Sequence, residues 1–280
     1  MAEHIVPIGF SPCPNDTFMF HALVSGLIDV PGVTFAPRLE DIETLNVLAL
    51  TDAVLPVTKL SFGVLGRVLH RYGVLAAGAA LGHRCGPLVV ARQPAMALTQ
   101  LGGRKVASPG MNTSANLLFR MFAPSDVQVV AMRFDHIVHS VARGEVEAGV
   151  IIHESRFTYS AWGLELVADL GEMWEQHTKL PIPLGFIAAR RDLDWALVHA
   201  IEHGLRKSVA LARAQPEMSR AYVRSHAQEL SDTVCDQHIA LYVNEFSLDL
   251  AEQGRAAVEA LLARARSMGM MSNESTSPWL

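Results

Sequence analysis

Short apolar runs alternate with helical patterns along most of this chain, and that alternation limits the fold more than any other feature. Ile5–Phe10, Val33–Arg38, Ala53–Val57, Pro87–Ala91, Lys105–Ser108, Val127–Met132, Ala148–Ile152 and Leu184–Ala189 read as strands. Helices are predicted from Asn15 or Asp16, taken as caps, to about Leu27, and over Ile42–Leu50, Leu60–Leu69, Thr113–Phe122 and His136–Arg143. From Asp192 onward the pattern is helical, broken at Pro216 and near Ser231. Strands alternating with helices imply βαβ units and parallel sheets. An eight-fold barrel would need strands in the last third, so two doubly wound α/β lobes are expected. Lobe 1 is then 1–87 plus 188–280, and lobe 2 is 88–187, inserted in the first.

The chain has 280 residues, half of them hydrophobic and 18% charged, which suffices for a sizeable core. The net charge of −5 is scattered and no basic block appears, which argues against nucleic acid as a partner. A small anionic substrate remains compatible, because local donors decide its binding. Cys13, Cys85 and Cys235 are far apart and form no CxxC pair, so neither a disulfide framework nor a cysteine zinc site is expected, and a reducing compartment fits. Met1 to His4 lack a basic leader region, and no apolar run has membrane-spanning length. The expectation is a cytoplasmic protein with no membrane partner, for which a homodimer is compatible. The tail from Ser272 to Leu280 is polar and expected to fray, with Trp279 able to dock.

Ligands of parallel α/β sheets sit beyond the C-terminal strand ends, and four segments there stand out. Ser11-Pro12-Cys13-Pro14-Asn15-Asp16-Thr17 is a stiff turn, in which Asn15 and Asp16 either cap a helix or meet a ligand. Pro56-Val57-Thr58-Lys59-Leu60-Ser61 joins a strand to a helix; Ser61 is a cap or an anion donor, and Lys59 a solvated charge or a ligand contact. In Ser108-Pro109-Gly110-Met111-Asn112-Thr113-Ser114, the glycine permits a tight turn before hydroxyls that open a helix, an arrangement that serves an anion or a plain cap. Ala148–Ile152 delivers His153 at its end. An imidazole there is either structural or a base, since it titrates near neutrality.

Other signals are weaker. His199-Ala200-Ile201-Glu202-His203 matches a zinc-peptidase pattern, but in an amphipathic helix of a chain with 12 histidines. Asp135, His136 and His139 read better as a capped surface helix than as a metal patch. No phosphate-binding P-loop, dinucleotide fingerprint or nucleophile elbow is present. Cys13 lies among prolines with no base beside it in sequence, so an inert thiol is expected.

Five motifs, in this order, resemble those of the 1,4-dihydroxy-6-naphthoate synthase family of the futalosine route to menaquinone. They are Ser11–Phe18, Leu55–Ser61, Gly86–Ala91, Ile152–Tyr159 and Tyr242–Ser247, and the resemblance spans nearly the whole chain. It implies a two-lobed fold like periplasmic binding proteins of the second type, with the ligand between the lobes. It implies a lyase that converts cyclic dehypoxanthinyl futalosine to 1,4-dihydroxy-6-naphthoate and dihydroxyacetone, without metal or organic cofactor. The family's base falls on His153, and its substrate-binding turns on Lys59, Leu60, Ser61, Thr113 and Ser114, with Asn15 and Asp16 in the first motif. A chorismate dehydratase of the same pathway and a non-catalytic binding protein are the rival readings.

Overall fold

The computed structural model describes residues 4–52, 54–228, 231–271 and 276–280. Met1 to Glu3, Ala53 at the head of one expected strand, and Ser272 to Ser275 of the polar tail lie outside the described residues. The chain begins with β1 (His4–Phe10), α1 (Pro14–Val24), β2 (Val33–Leu39), α2 (Ile42–Thr51), β3 (Val57–Ser61), α3 (Phe62–Val68), β4 (Tyr72–Val74) and β5 (Ala80–Gly82). There follow β6 (Leu88–Ala91), β7 (Lys105–Ser108), α4 (Ser114–Phe122), β8 (Gln128–Ala131), α5 (Phe134–Ala142), β9 (Ala148–Ile151), α6 (Ser155–Thr158), β10 (Glu165–Asp169) and α7 (Leu170–Thr178). After β11 (Ile182–Arg190) come α8 (Trp195–Ala214), α9 (Glu217–His226), α10 (Asp232–Tyr242), α11 (Glu245–Leu248) and α12 (Ala251–Ser267).

These strands form two sheets. One has the order β2-β1-β3-β11-β4, with β5 also on β11; the other is β10-β6-β9-β7-β8. The βαβ units give parallel pairs, as expected: β1 with β2 and β3, and β7 with β8 and β9. The sheets are nevertheless mixed rather than parallel throughout. β11 runs antiparallel to β3, β4 and β5, and β6 antiparallel to β9 and β10. Both exceptions are strands that do not belong to a βαβ crossover, so no helix returns the chain to the same direction. The expected division at 187/188 falls inside β11, which pairs within the first sheet from Ile182 to Arg190. The chain therefore returns to that sheet before Ile182.

Three local expectations change. β3 occupies Val57–Ser61, not 53–57, because its polar residues disguise a fully buried strand. Asn15 and Asp16 are not caps: α1 starts at Pro14 with Cys13 in the cap position, and proline fits a first helical residue, which needs no N–H partner. The short β4 and β5, together with β10 and α7, were not legible as elements. The described part of the tail is docked rather than frayed. Trp279 bridges to Val74 and lies under the Arg255 guanidinium, 4.5 Å from its ring centre.

Where the chain leaves the first sheet, Gly86 packs against Gly171 at the start of α7. A Cβ on Gly86 would lie 2.3 Å from the Gly171 Cα, so the two backbones meet only because neither carries a side chain. Gly86→Ala is expected to lower unfolding stability by about 1–3 kcal/mol, the usual cost of overpacking. Urea unfolding checks this, and an unchanged midpoint would show that the crossing can shift freely.

Candidate active site

The C-terminal ends of β1, β3, β7 and β9 bring Ser11, Ser61, the Ser108–Thr113 turn and His153 towards one pocket. Its walls include Asn15, Asp16, Lys59, Ser61, Thr113, Ser114 and His153, all residues singled out from the sequence. Leu60 is the exception. Side chains alternate along β3, so Lys59 and Ser61 face the pocket while Leu60 packs in the core.

One wall is built on a buried ion pair. Lys59 Nζ donates to Asp16 Oδ1 at 2.7 Å, and both side chains are at most 5% exposed. Ser11 Oγ and its backbone N–H donate to Asp16 Oδ2 at 2.7 and 3.2 Å, and Asn15 Nδ2 to Oδ1 at 3.0 Å. The carboxylate is thus saturated, and Lys59 is spent on protein rather than presented as a free cation. Asn15 Oδ1 is buried without a hydrogen-bond partner among the described residues, an acceptor facing the pocket.

A second wall offers donors. Ser61 makes no side-chain capping bond. Its hydroxyl accepts from Asn46 Nδ2 at 3.0 Å, and its N–H donates to Asn46 Oδ1 at 2.9 Å, so the hydroxyl proton is free to be donated. Asn46 was missed in sequence; its one signal is a polar residue among the buried positions of α2. Thr113 is a true N-cap, accepting from the Asn116 N–H at 3.1 Å and donating to Gly110 O at 2.9 Å. Ser114 Oγ donates to Leu184 O at 2.5 Å and accepts from the Gly63 N–H at 3.0 Å, tying α4 to both α3 and β11. The amides of Ser114 and Ala115, in the first turn of α4, have no intrahelical acceptor and carry the positive end of the helix dipole.

The third wall holds the titratable groups. His153 has φ of +56°, a left-handed conformation that costs a non-glycine residue about 1–3 kcal/mol. Its ring meets Phe134 edge-on at 4.9 Å. Burial pushes its pKa down to about 4 despite the Glu154 carboxylate beside it, so the imidazole is neutral near pH 7. Burial would raise Glu154, but His238 and His153 reverse this and hold it at about 2. Cys13 is not isolated in space. Its sulfur, one His153 nitrogen and one Glu154 oxygen lie within 4.8 Å of one another, the one such donor group among the described residues. Burial, then Glu154, push the thiol up, so it stays protonated. Arg156 fixes this segment by donating to Gly86 O, to Arg84 O at 2.8 Å and to Asp169 at 2.9 Å.

Cys85, His238 and Tyr242 also line the pocket and escaped the sequence reading as site residues. The last two come from α10, whose weak amphipathic pattern marks no functional face. The zinc-peptidase pattern does not assemble: Glu202 pairs with Arg206 at 3.0 Å and His199 packs on Trp195. Asp135 pairs with Arg133, and His139 packs on Trp162.

Breaking the Asp16–Lys59 pair from one side leaves a buried unpaired charge. Lys59→Met should therefore cost about 3–5 kcal/mol of stability. Asp16→Asn combined with Lys59→Met should cost less than the single change, measured by urea unfolding of both variants.

A family profile described as menaquinone biosynthesis matches residues 6–267. A 1,4-dihydroxy-6-naphthoate synthase of Thermus thermophilus is 52% identical over 263 residues, 94% of each chain. One from Streptomyces coelicolor is 46% identical over 281 residues, 97% of this chain and 96% of its own. A solved structure from Archaeoglobus fulgidus superposes with a TM-score of 0.90 at 34% identity, covering 96% of this chain and 99% of that one. The alkanesulfonate-binding protein of Xanthomonas axonopodis superposes with a TM-score of 0.73 at 15% identity, covering 98% and 96% of the two chains. That likeness concerns the fold alone: a two-lobed, binding-protein-like α/β architecture. With the profile spanning almost the whole chain and two relatives near half identity, the chain belongs to the menaquinone biosynthesis family.

Proposed function

We propose that this protein is a 1,4-dihydroxy-6-naphthoate synthase, a lyase that splits cyclic dehypoxanthinyl futalosine into 1,4-dihydroxy-6-naphthoate and dihydroxyacetone, with His153 as the base. The observation that carries the reading is a strained, neutral imidazole at the end of β9, facing a pocket beside two sets of anion donors. The names of the two relatives support this activity over the dehydratase and over binding without catalysis.

The substrate's aromatic carboxylate suits the Ser61 hydroxyl and the first-turn amides of α4. Together these offer donors and a partial positive charge without a full cation. The opposite end then lies towards His153. A neutral imidazole takes a proton from the sugar-derived part of the ring system, and gain of aromaticity in the naphthoate favours fragmentation. The contacts from Ser114 to α3 and β11 tie the two sheets together beside the pocket, which helps hold the donors and the base in register. The same proposal places the protein in the cytoplasm, supported by the free, buried thiols of Cys13 and Cys85. Among the described residues, no helix is long and apolar enough to cross a membrane.

Turnover of cyclic dehypoxanthinyl futalosine, followed as naphthoate release by chromatography, tests the reading. His153→Ala should lower kcat by about 10²–10⁴-fold, the range for losing a positioned base; near-normal turnover would remove His153 from that role. The pH profile has a defined sign. Because the His153 pKa is lowered to about 4, acidification from pH 7.5 to 5.5 should not protonate it, whereas an ordinary imidazole loses its free-base form near pH 6.5. A fall in kcat/KM centred near 6.5 that disappears in His153→Ala would contradict the assigned environment.

A further inference from the structure

His238 has no role in the scheme above, yet its position is unusual. It is 1% exposed, lines the pocket, and neither ring nitrogen has a hydrogen-bond partner among the described residues. Leaving a buried polar group without a partner costs about 1–3 kcal/mol. Such an atom in a pocket wall is one that pocket contents complete. Nδ1 is 3.7 Å from Glu154 Oε1, and the ring centre is 5.7 Å from that of His153. Tyr242, one turn on, meets the ring edge-on at 4.8 Å and fixes its plane.

The chemistry can use a group of this kind. A lyase that splits one molecule with no second reactant must return to the fragments whatever proton its base removes. His153 can return it only from its own position, whereas a separately placed acid can protonate the departing fragment as the bond breaks. Resting on the base role of His153, we propose that His238 is a second catalytic residue, which enters as the imidazolium paired with the Glu154 carboxylate and protonates the departing fragment from Nε2. In the first step His153 accepts a proton from the substrate, and the freed electron pair drives cleavage of the carbon–carbon bond. The electron pair of that bond stays on the departing fragment and takes the proton from His238. A proton then passes from His153 to His238, and both return to their starting forms. No oxidant, reductant or metal enters the balance. Glu154 is a positioning residue here: it faces Nδ1, compensates the imidazolium charge, and leaves Nε2 for the substrate.

The test compares His238→Ala, His238→Gln and His153→Ala in the same turnover assay, with circular dichroism to confirm folding. His238→Ala should lose about 100-fold or more in kcat with KM changed by less than about threefold, and millimolar imidazole should restore part of the rate. His238→Gln, which fills the space with a group that cannot protonate the fragment, should be equally slow and not rescued. If His238→Ala keeps kcat within about threefold while His153→Ala is inactive, the donor assignment fails and the base stands. A raised KM with no imidazole rescue would make His238 a packing or binding group and also overturns the proposal. An active His153→Ala takes down both readings.

Discussion

The site depends on one constraint: charges placed in a dry pocket must be paired before they can be useful. The Asp16–Lys59 ion pair meets it where the turn after β1 packs on β3. In so buried a place either charge alone would be costly. Ser11 and Asn15 complete the carboxylate, so the turn, the strand and the first helix are fixed to one another by a single anion.

The same desolvation sets the protonation states opposite. It keeps His153 neutral and Cys13 a thiol, and it opposes ionisation of Glu154, which the two histidines beside it hold below its ordinary range nonetheless. The backbone strain at His153 is a local cost that the surrounding packing sustains: Phe134 against the ring and Arg156 holding the following turn to the crossing at Gly86. On the proposed reading, substrate recognition is left to neutral donors, a serine hydroxyl and helix amides, which can hold a carboxylate without disturbing the proposed base.

Much of this was legible in the residues. Apolar runs with helical spacing between them located most of the strands, and the turns after β1, β7 and β9 stood out by composition. Less legible were strands whose buried side chains are polar. Val57-Thr58-Lys59-Leu60-Ser61 reads as a turn because lysine and serine are rare in a buried strand, and only the pocket explains them. Asn15 and Asp16 looked like caps because that is their commonest local use; proline at position 14 starts the helix earlier and releases both side chains. Asn46 left only the faint signal of a polar residue on the inner side of its helix and His238 left none, since each is a single polar residue whose partners come from distant sequence.

The sequence by itself determined the α/β class, the βαβ units and the strand ends that gather a histidine, hydroxyls and helix N-termini, because periodicity and turn chemistry are local. Only the tertiary structure decided the antiparallel return of β11, the pairing of Lys59 with Asp16, and the meeting of Cys13, His153, Glu154 and His238. Those depend on which segments are brought together from opposite ends of the chain and on how completely water is removed between them.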